Sequence, residues 1–139
     1  MIHFLVDSSA MWRLQRHPEL TEAWTAALLS GAVGSCEPQR AEFRRSARNV
    51  DEFHQINRAF AELYPDVPVP KSVWRWIESA KHRLASVGGV RALPVVDLLV
   101  CGTAAANGLV ILHDDCDYEL AERHFTDVEA RRVVEGTSR

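Results

Sequence analysis

The sequence has few cysteines, no long apolar run and no excess of positive charge. Cys36, Cys101 and Cys116 are odd in number and widely spaced, which excludes a disulfide framework and fits a reducing compartment. No apolar run approaches the ~18 residues of a membrane span. The N-terminus MIHFLVDSS lacks a basic segment and its apolar run stops at Asp7, so it does not read as a secretory signal. These absences lead to the expectation of a cytoplasmic protein with no membrane partner. The formal net charge of −3 means that nucleic-acid binding would have to come from local basic clusters. A Gly-rich phosphate loop is missing too, since SVGGVRALP carries no P-loop lysine. No serine sits in a nucleophile-elbow context. There is no CxxC, and His113-x-x-Cys116 with Cys101 or Cys36 is poorly spaced for zinc.

What is present is an ordinary globular balance, 47% hydrophobic and 25% charged. The length suits one domain over residues 1–139. Apolar runs at 2–6, 32–36 and 109–113 have strand length, and 128–134 alternates like a strand near a sheet edge. Helices are expected from Ser8 onward and over 20–31, 38–48, 50–64, 71–87, 94–108 and 118–125. The 50–64 segment would pack through Phe53, Ile56, Phe60 and Leu63. The 71–87 segment would pack through Val73, Trp76, Ile77, Ala80, Leu84 and Val87. Segment 94–108 is apolar nearly all round, with Pro94 at its start and Gly108 at its end, as a buried helix requires. Strands alternating with helices predict an α/β fold with a mainly parallel central sheet.

Acids fall at the ends of these strands, where open α/β sheets bind ligands. Asp7 follows the first strand, and the stretch HDDCDY puts Asp114, Asp115 and Asp117 just past 109–113. Glu42 lies in the helix after strand 32–36. Each has an ordinary reading. Asp7 could start a turn, Asp115 could cap the last helix, and Glu42 could pair with Arg44 or Arg45. Asp97 could simply favour its helix dipole. It is nevertheless the hardest to dismiss, because Val95, Val96, Leu98, Leu99 and Val100 surround it and a carboxylate near apolar neighbours needs a partner.

Four motifs in order, FLVDSSAMWRL, EPQRAEFRR, LPVVDLLVCGTAAANG and LVILHDDCDYELA, resemble the PIN domain of VapC-type toxins over nearly the whole chain. The resemblance implies a three-layer α/β/α sandwich and a metal-dependent endoribonuclease, the toxin of a type II toxin–antitoxin pair. It implies a homodimer silenced by a VapB-type antitoxin, and hydrolysis of RNA that leaves a 5′-phosphate. The family's four acids fall on Asp7, Glu42, Asp97 and Asp115, with Asp117 as accessory acid and Ser8, or Ser9, supporting the first. Position 116 is Cys, to which no catalytic role is given.

Carboxylates from distant segments suit Mg²⁺, or Mn²⁺ in its place, which prefer oxygen ligands. At ~4 Å each like-charged pair costs roughly 4 kcal/mol at an effective dielectric of about 20, a conflict that a divalent ion removes. Asp7, Asp97 and Asp115 are the expected metal ligands, with Glu42 holding a water or a second ion. Arg40, Arg44 and Arg45 beside Glu42, and Arg91 upstream of Asp97, are candidate RNA contacts; a solvated helix face paired with acids is the ordinary alternative. Trp74 falls off the packing stripe of its helix and could face a partner, and Met11, Trp12 and Leu14 could line a groove for an antitoxin helix. Three rivals remain at this level: a PIN nuclease with a housekeeping or DNA substrate, an inactive PIN binding module, and a phosphoacceptor receiver domain. The last expects a lone Asp at the end of a central strand and a later Lys, and neither is evident.

Overall fold

Side chains alternate across the central strands, so both faces of the sheet are apolar and both must be covered. The computed structural model describes residues 1–137. In chain order the elements are β1 (Phe4–Val6), α1 (Ser8–Arg16), α2 (Pro18–Leu29), β2 (Val33–Gly34), α3 (Glu37–Arg44), α4 (Val50–Leu63), α5 (Val73–Ala85), α6 (Val95–Asn107), β3 (Val110–His113), α7 (Cys116–His124) and β4 (Glu129–Arg132), followed by a 3₁₀ turn over Val133–Glu135. The sheet order is β2-β1-β3-β4 and every pairing is parallel. Leu5 and Ile111 enter one core with α5, α6 and α7; Val6 and Leu112 enter the other, with Trp24, Phe43 and Phe60 from α2, α3 and α4. The result is the three-layer α/β/α sandwich. β4 lies at the edge, as its alternating sequence suggests.

Local sequence sets the ends of the elements. Asn49 accepts from the Glu52 amide at 2.9 Å and caps α4. Gly108 closes α6 at φ 64°, a left-handed conformation open to glycine without a Cβ penalty. Gly102 lets α5 approach α6, since a Cβ there would lie 2.9 Å from Val73 Cγ2 and 3.1 Å from Trp76 Cε3. Among the described residues no helix is long and apolar enough to cross a membrane.

Some expected boundaries move. The helix expected over 38–48 ends at Arg44, and the strand expected over 32–36 has only two paired residues. The last strand stops at Arg132 because Val133 turns into the core, where its carbonyl accepts the Trp24 indole N–H at 2.9 Å. Val87 lies beyond the Ser86 cap of α5 and is exposed, not packed. Phe53, in the first turn of α4, is 39% exposed, whereas Phe60, two turns further along the same face, is buried.

Candidate active site

Parallel strands put their carboxyl ends on one edge, and the helices that follow β1, β2 and β3 all begin there. Helix α6 runs into β3, so its N-terminus lies at the same edge. Asp7, Asp97 and Asp115 sit at or in the first turns of these helices, where the helix dipole favours negative charge. Glu42 is one turn further along α3.

Asp7 is 4% exposed, and its amide donates to the Leu112 carbonyl at 2.9 Å. Both its carboxylate oxygens are engaged. Oδ2 accepts from the Ser9 amide at 3.0 Å and the Ser9 hydroxyl at 2.6 Å; Oδ1 accepts from the Tyr118 hydroxyl at 2.7 Å. Asp7 therefore caps α1 and still faces the cluster. Ser9, not Ser8, is the serine that supports it. Ser8 instead takes a hydrogen bond from Gln39 Nε2 at 3.2 Å and bonds the Glu42 carboxylate.

Asp97 is 7% exposed, and its Oδ1 lies 3.3 Å from the same Tyr118 hydroxyl. Burial first, then the Asp7 charge, then a hydrogen bond with Asp117 and the charges of Asp117 and Asp115 push its carboxyl up to about 8. Glu42 is raised from the ordinary carboxylate range by burial and by Asp7, against the lowering effect of Ser8 and Arg45. The structure thus brings Asp7, Glu42, Asp97, Asp115 and Asp117 within electrostatic reach of one another.

Asp115 accepts from the Asp117 amide at 3.0 Å and caps α7. Donor atoms of Asp115, Cys116 and Asp117 lie within 4.8 Å of one another. Asp7 and Asp97 form a separate pair under Tyr118. This trio is a poor match to a hard ion, because the Cys116 thiol is exposed and soft. His113 is no zinc ligand: it is buried, its Nδ1 accepts from the Asp115 amide at 3.1 Å, and burial and Arg132 lower its basicity. Asp114 is held by Arg132 at 3.3 Å and Arg13 at 3.6 Å. Its amide donates to Ser9 Oγ at 2.9 Å, so it braces the turn.

The arginines divide. Arg40 is committed to Asp66 at 2.7 Å and to Ser35, tying β2 to the loop after α4. Arg44 donates to Asn57 at 2.6 Å and lies over Phe60. Arg45 and Arg91 are exposed, Arg45 close enough to Glu42 to lower its pKa. Sequence reasoning missed Tyr118 and Gln39. Tyr118 is visible in sequence only as the aromatic that ends HDDCDY, and Gln39 gives no signal.

The fit to a metal can be judged from the donors themselves. They are all carboxylates, and without a counter-cation burial, with their crowding added, pushes the Asp97 carboxyl up to about 8. Such a set suits a hard divalent ion. Asp7, Asp97 and Asp115 are the residues that could hold it.

A parallel β2-β1-β3-β4 sheet covered by helices on both faces, with acids gathered at its carboxyl edge, is consistent with a PIN-domain fold. Solved structures agree: VapBC2 from Rickettsia felis, bound to a DNA fragment from its promoter, aligns with a TM-score of 0.76 at 9% identity over 95% of this chain and 98% of that one. VapBC-5 from Mycobacterium tuberculosis gives 0.65 at 22% identity over 95% and 99%. In sequence, Ribonuclease VapC6 from M. tuberculosis is 75% identical over 103 residues, 74% of this chain and 81% of that protein. Ribonuclease VapC51 from the same species is 30% identical over 128 residues, 86% and 85%. No protein-family model matches the chain. The chain belongs to the VapC family of ribonucleases.

Proposed function

We propose that this protein is a divalent-cation-dependent endoribonuclease, the toxin of a type II toxin–antitoxin pair, acting in the cytoplasm. The observation that carries the reading is the meeting of Asp7 and Asp97 under one hydroxyl, with Asp115 and Asp117 beside them. Relatives named as ribonucleases, VapC6 among them, support the RNA substrate. Mg²⁺ or Mn²⁺, bound by Asp7, Asp97 and Asp115, would activate a water and neutralise charge on the phosphodiester as it is hydrolysed. The chain's own residues supply the rest. Asp7 is oriented before substrate arrives, Glu42 offers a carboxylate to position a water, and Arg45 and Arg91 attract the RNA backbone. The full acid set argues against an inactive binding module.

Two surfaces suit the partners. A VapB-type antitoxin helix fits the groove between α1, α2 and α4, a cavity of about 420 Å³ whose lining includes Met11, Leu14, Phe43 and Leu63. The solved VapBC assemblies support such a partner. A second copy fits the apolar face made by Trp74, 61% exposed, with Val95, Val96 and Leu99.

The test is incubation of the antitoxin-free chain with RNA and Mg²⁺, followed by mapping of the new ends. Water attack predicts 5′-phosphate and 3′-hydroxyl ends and no cutting in EDTA. Cyclic 2′,3′-phosphate ends, or cutting that survives EDTA, would overturn the reading.

A further inference from the structure

We infer that the Tyr118 hydroxyl, together with Ser9, is a positioning clamp that fixes the Asp7 carboxylate for cation binding. The inference rests on the cation-site reading above and adds to it the residues that hold the site in shape.

Tyr118 is fully buried on α7, and its ring packs at 5.3 Å from the His113 ring. A buried phenol must place its proton on an acceptor. Here the short contact goes to Asp7 Oδ1 at 2.7 Å, and the longer one to Asp97 Oδ1 at 3.3 Å. One phenolic proton serves one acceptor well, so the donation goes to Asp7 and the oxygen faces Asp97.

The opposite oxygen of Asp7 is held independently. Ser9 donates to Oδ2 through both its amide and its hydroxyl, and Ser9 Oγ is itself fixed by the Asp114 amide. Both arms of the clamp are therefore anchored to the segment that follows β3. That segment also carries Asp115 and Asp117. The same stretch thus supplies acids to the site and sets the orientation of an acid from β1. Oδ1 keeps a free acceptor direction, because a carboxylate offers about four lone-pair sites and Ser9 takes both on Oδ2 while Tyr118 takes one on Oδ1. Partners of this kind, which orient a ligand without touching the ion, typically change metal affinity 10–100-fold when removed.

The clamp is tested by Mn²⁺ binding to the full chain, followed by electron paramagnetic resonance of free Mn²⁺. Tyr118→Phe deletes only the hydroxyl. It is expected to weaken Mn²⁺ binding about tenfold or more. Ser9→Ala removes the hydroxyl on the other oxygen and is expected to weaken binding in the same direction, which keeps the clamp testable if the Phe variant folds poorly. Tyr64→Phe, a buried tyrosine in the other core, is the control and should bind like wild type. If Tyr118 is merely structural, Tyr118→Phe will melt earlier yet bind Mn²⁺ within twofold of wild type, and the clamp is refuted while the cation site stands. If wild type itself binds no Mn²⁺, the cation site and the clamp fall together.

Discussion

The Tyr118 hydroxyl donates to Asp7 Oδ1 across 2.7 Å, although 111 residues separate them in sequence. That bond joins the end of β1 to α7 and closes the carboxyl edge of the sheet around its acids. It explains how one buried carboxylate is oriented beside another whose pKa is pushed up.

Stability should depend on pH through Asp97. Its folded carboxyl is raised from 3.8 to about 8. Between those values the folded chain holds a proton that the unfolded chain has released. The metal-free protein is therefore most stable below about pH 4 in this respect, and the contribution is lost as pH rises through about 8. Melting in EDTA at pH 6 and pH 8.5 should give a lower midpoint at pH 8.5. Mn²⁺ should raise the midpoint more at pH 8.5 than at pH 6, because at the lower pH it must displace the proton.

Removing the buried charge without changing its shape gives a second prediction. Asp97→Asn should leave the metal-free midpoint at pH 8.5 equal to or above that of wild type, because a crowded carboxylate is gone. The same variant should lose the Mn²⁺-induced rise. A variant that melts much earlier than wild type in EDTA would mean that Asp97 is chiefly a structural partner.

The arginines should separate by role. Arg45→Ala and Arg91→Ala should weaken binding to a non-cleaved RNA, each reducing the slope of log affinity against log salt by about 0.7 where it meets a phosphate of a single strand. Arg40→Ala should instead lower the unfolding midpoint, since it leaves Ser35 and Asp66 without their cation. Filter binding across a salt series and urea melts distinguish the two effects.

Packing between α5 and α6 hinges on Gly102. Gly102→Ala brings a Cβ to 2.9 Å from Val73 Cγ2 and should cost roughly 1–3 kcal/mol. Urea unfolding should show it as a lower midpoint with an unchanged slope.

Much of this architecture is written locally. The apolar runs that become β1 and β3 end at acids, and Pro94 and Gly108 bracket α6 as their backbone preferences require. Asp97 stands out because a carboxylate amid Val and Leu demands compensation. The strands were overextended where pairing, not propensity, decides length: Val133 fits a strand pattern but is drawn into the core by Trp24. Contacts between distant segments were not legible. Nothing in SSAMWRLQRH says that Ser9 rather than Ser8 turns to Asp7, and nothing near Arg40 names Asp66. Asp114 gives no local sign of its partners, because Arg13 and Arg132 lie on other elements. HDDCDY reads as an acidic turn in sequence, yet its tyrosine binds two of the acids that the turn is brought to meet.

The most direct measurement is cleavage of one RNA by wild type, Asp7→Asn and Asp97→Asn, each with Mg²⁺ and with EDTA. A site built from these carboxylates predicts cutting by wild type with Mg²⁺ alone, and a loss of roughly 100-fold or more in either variant, a barrier increase of about 2.7 kcal/mol. Equal cutting by all three proteins with Mg²⁺ would contradict it.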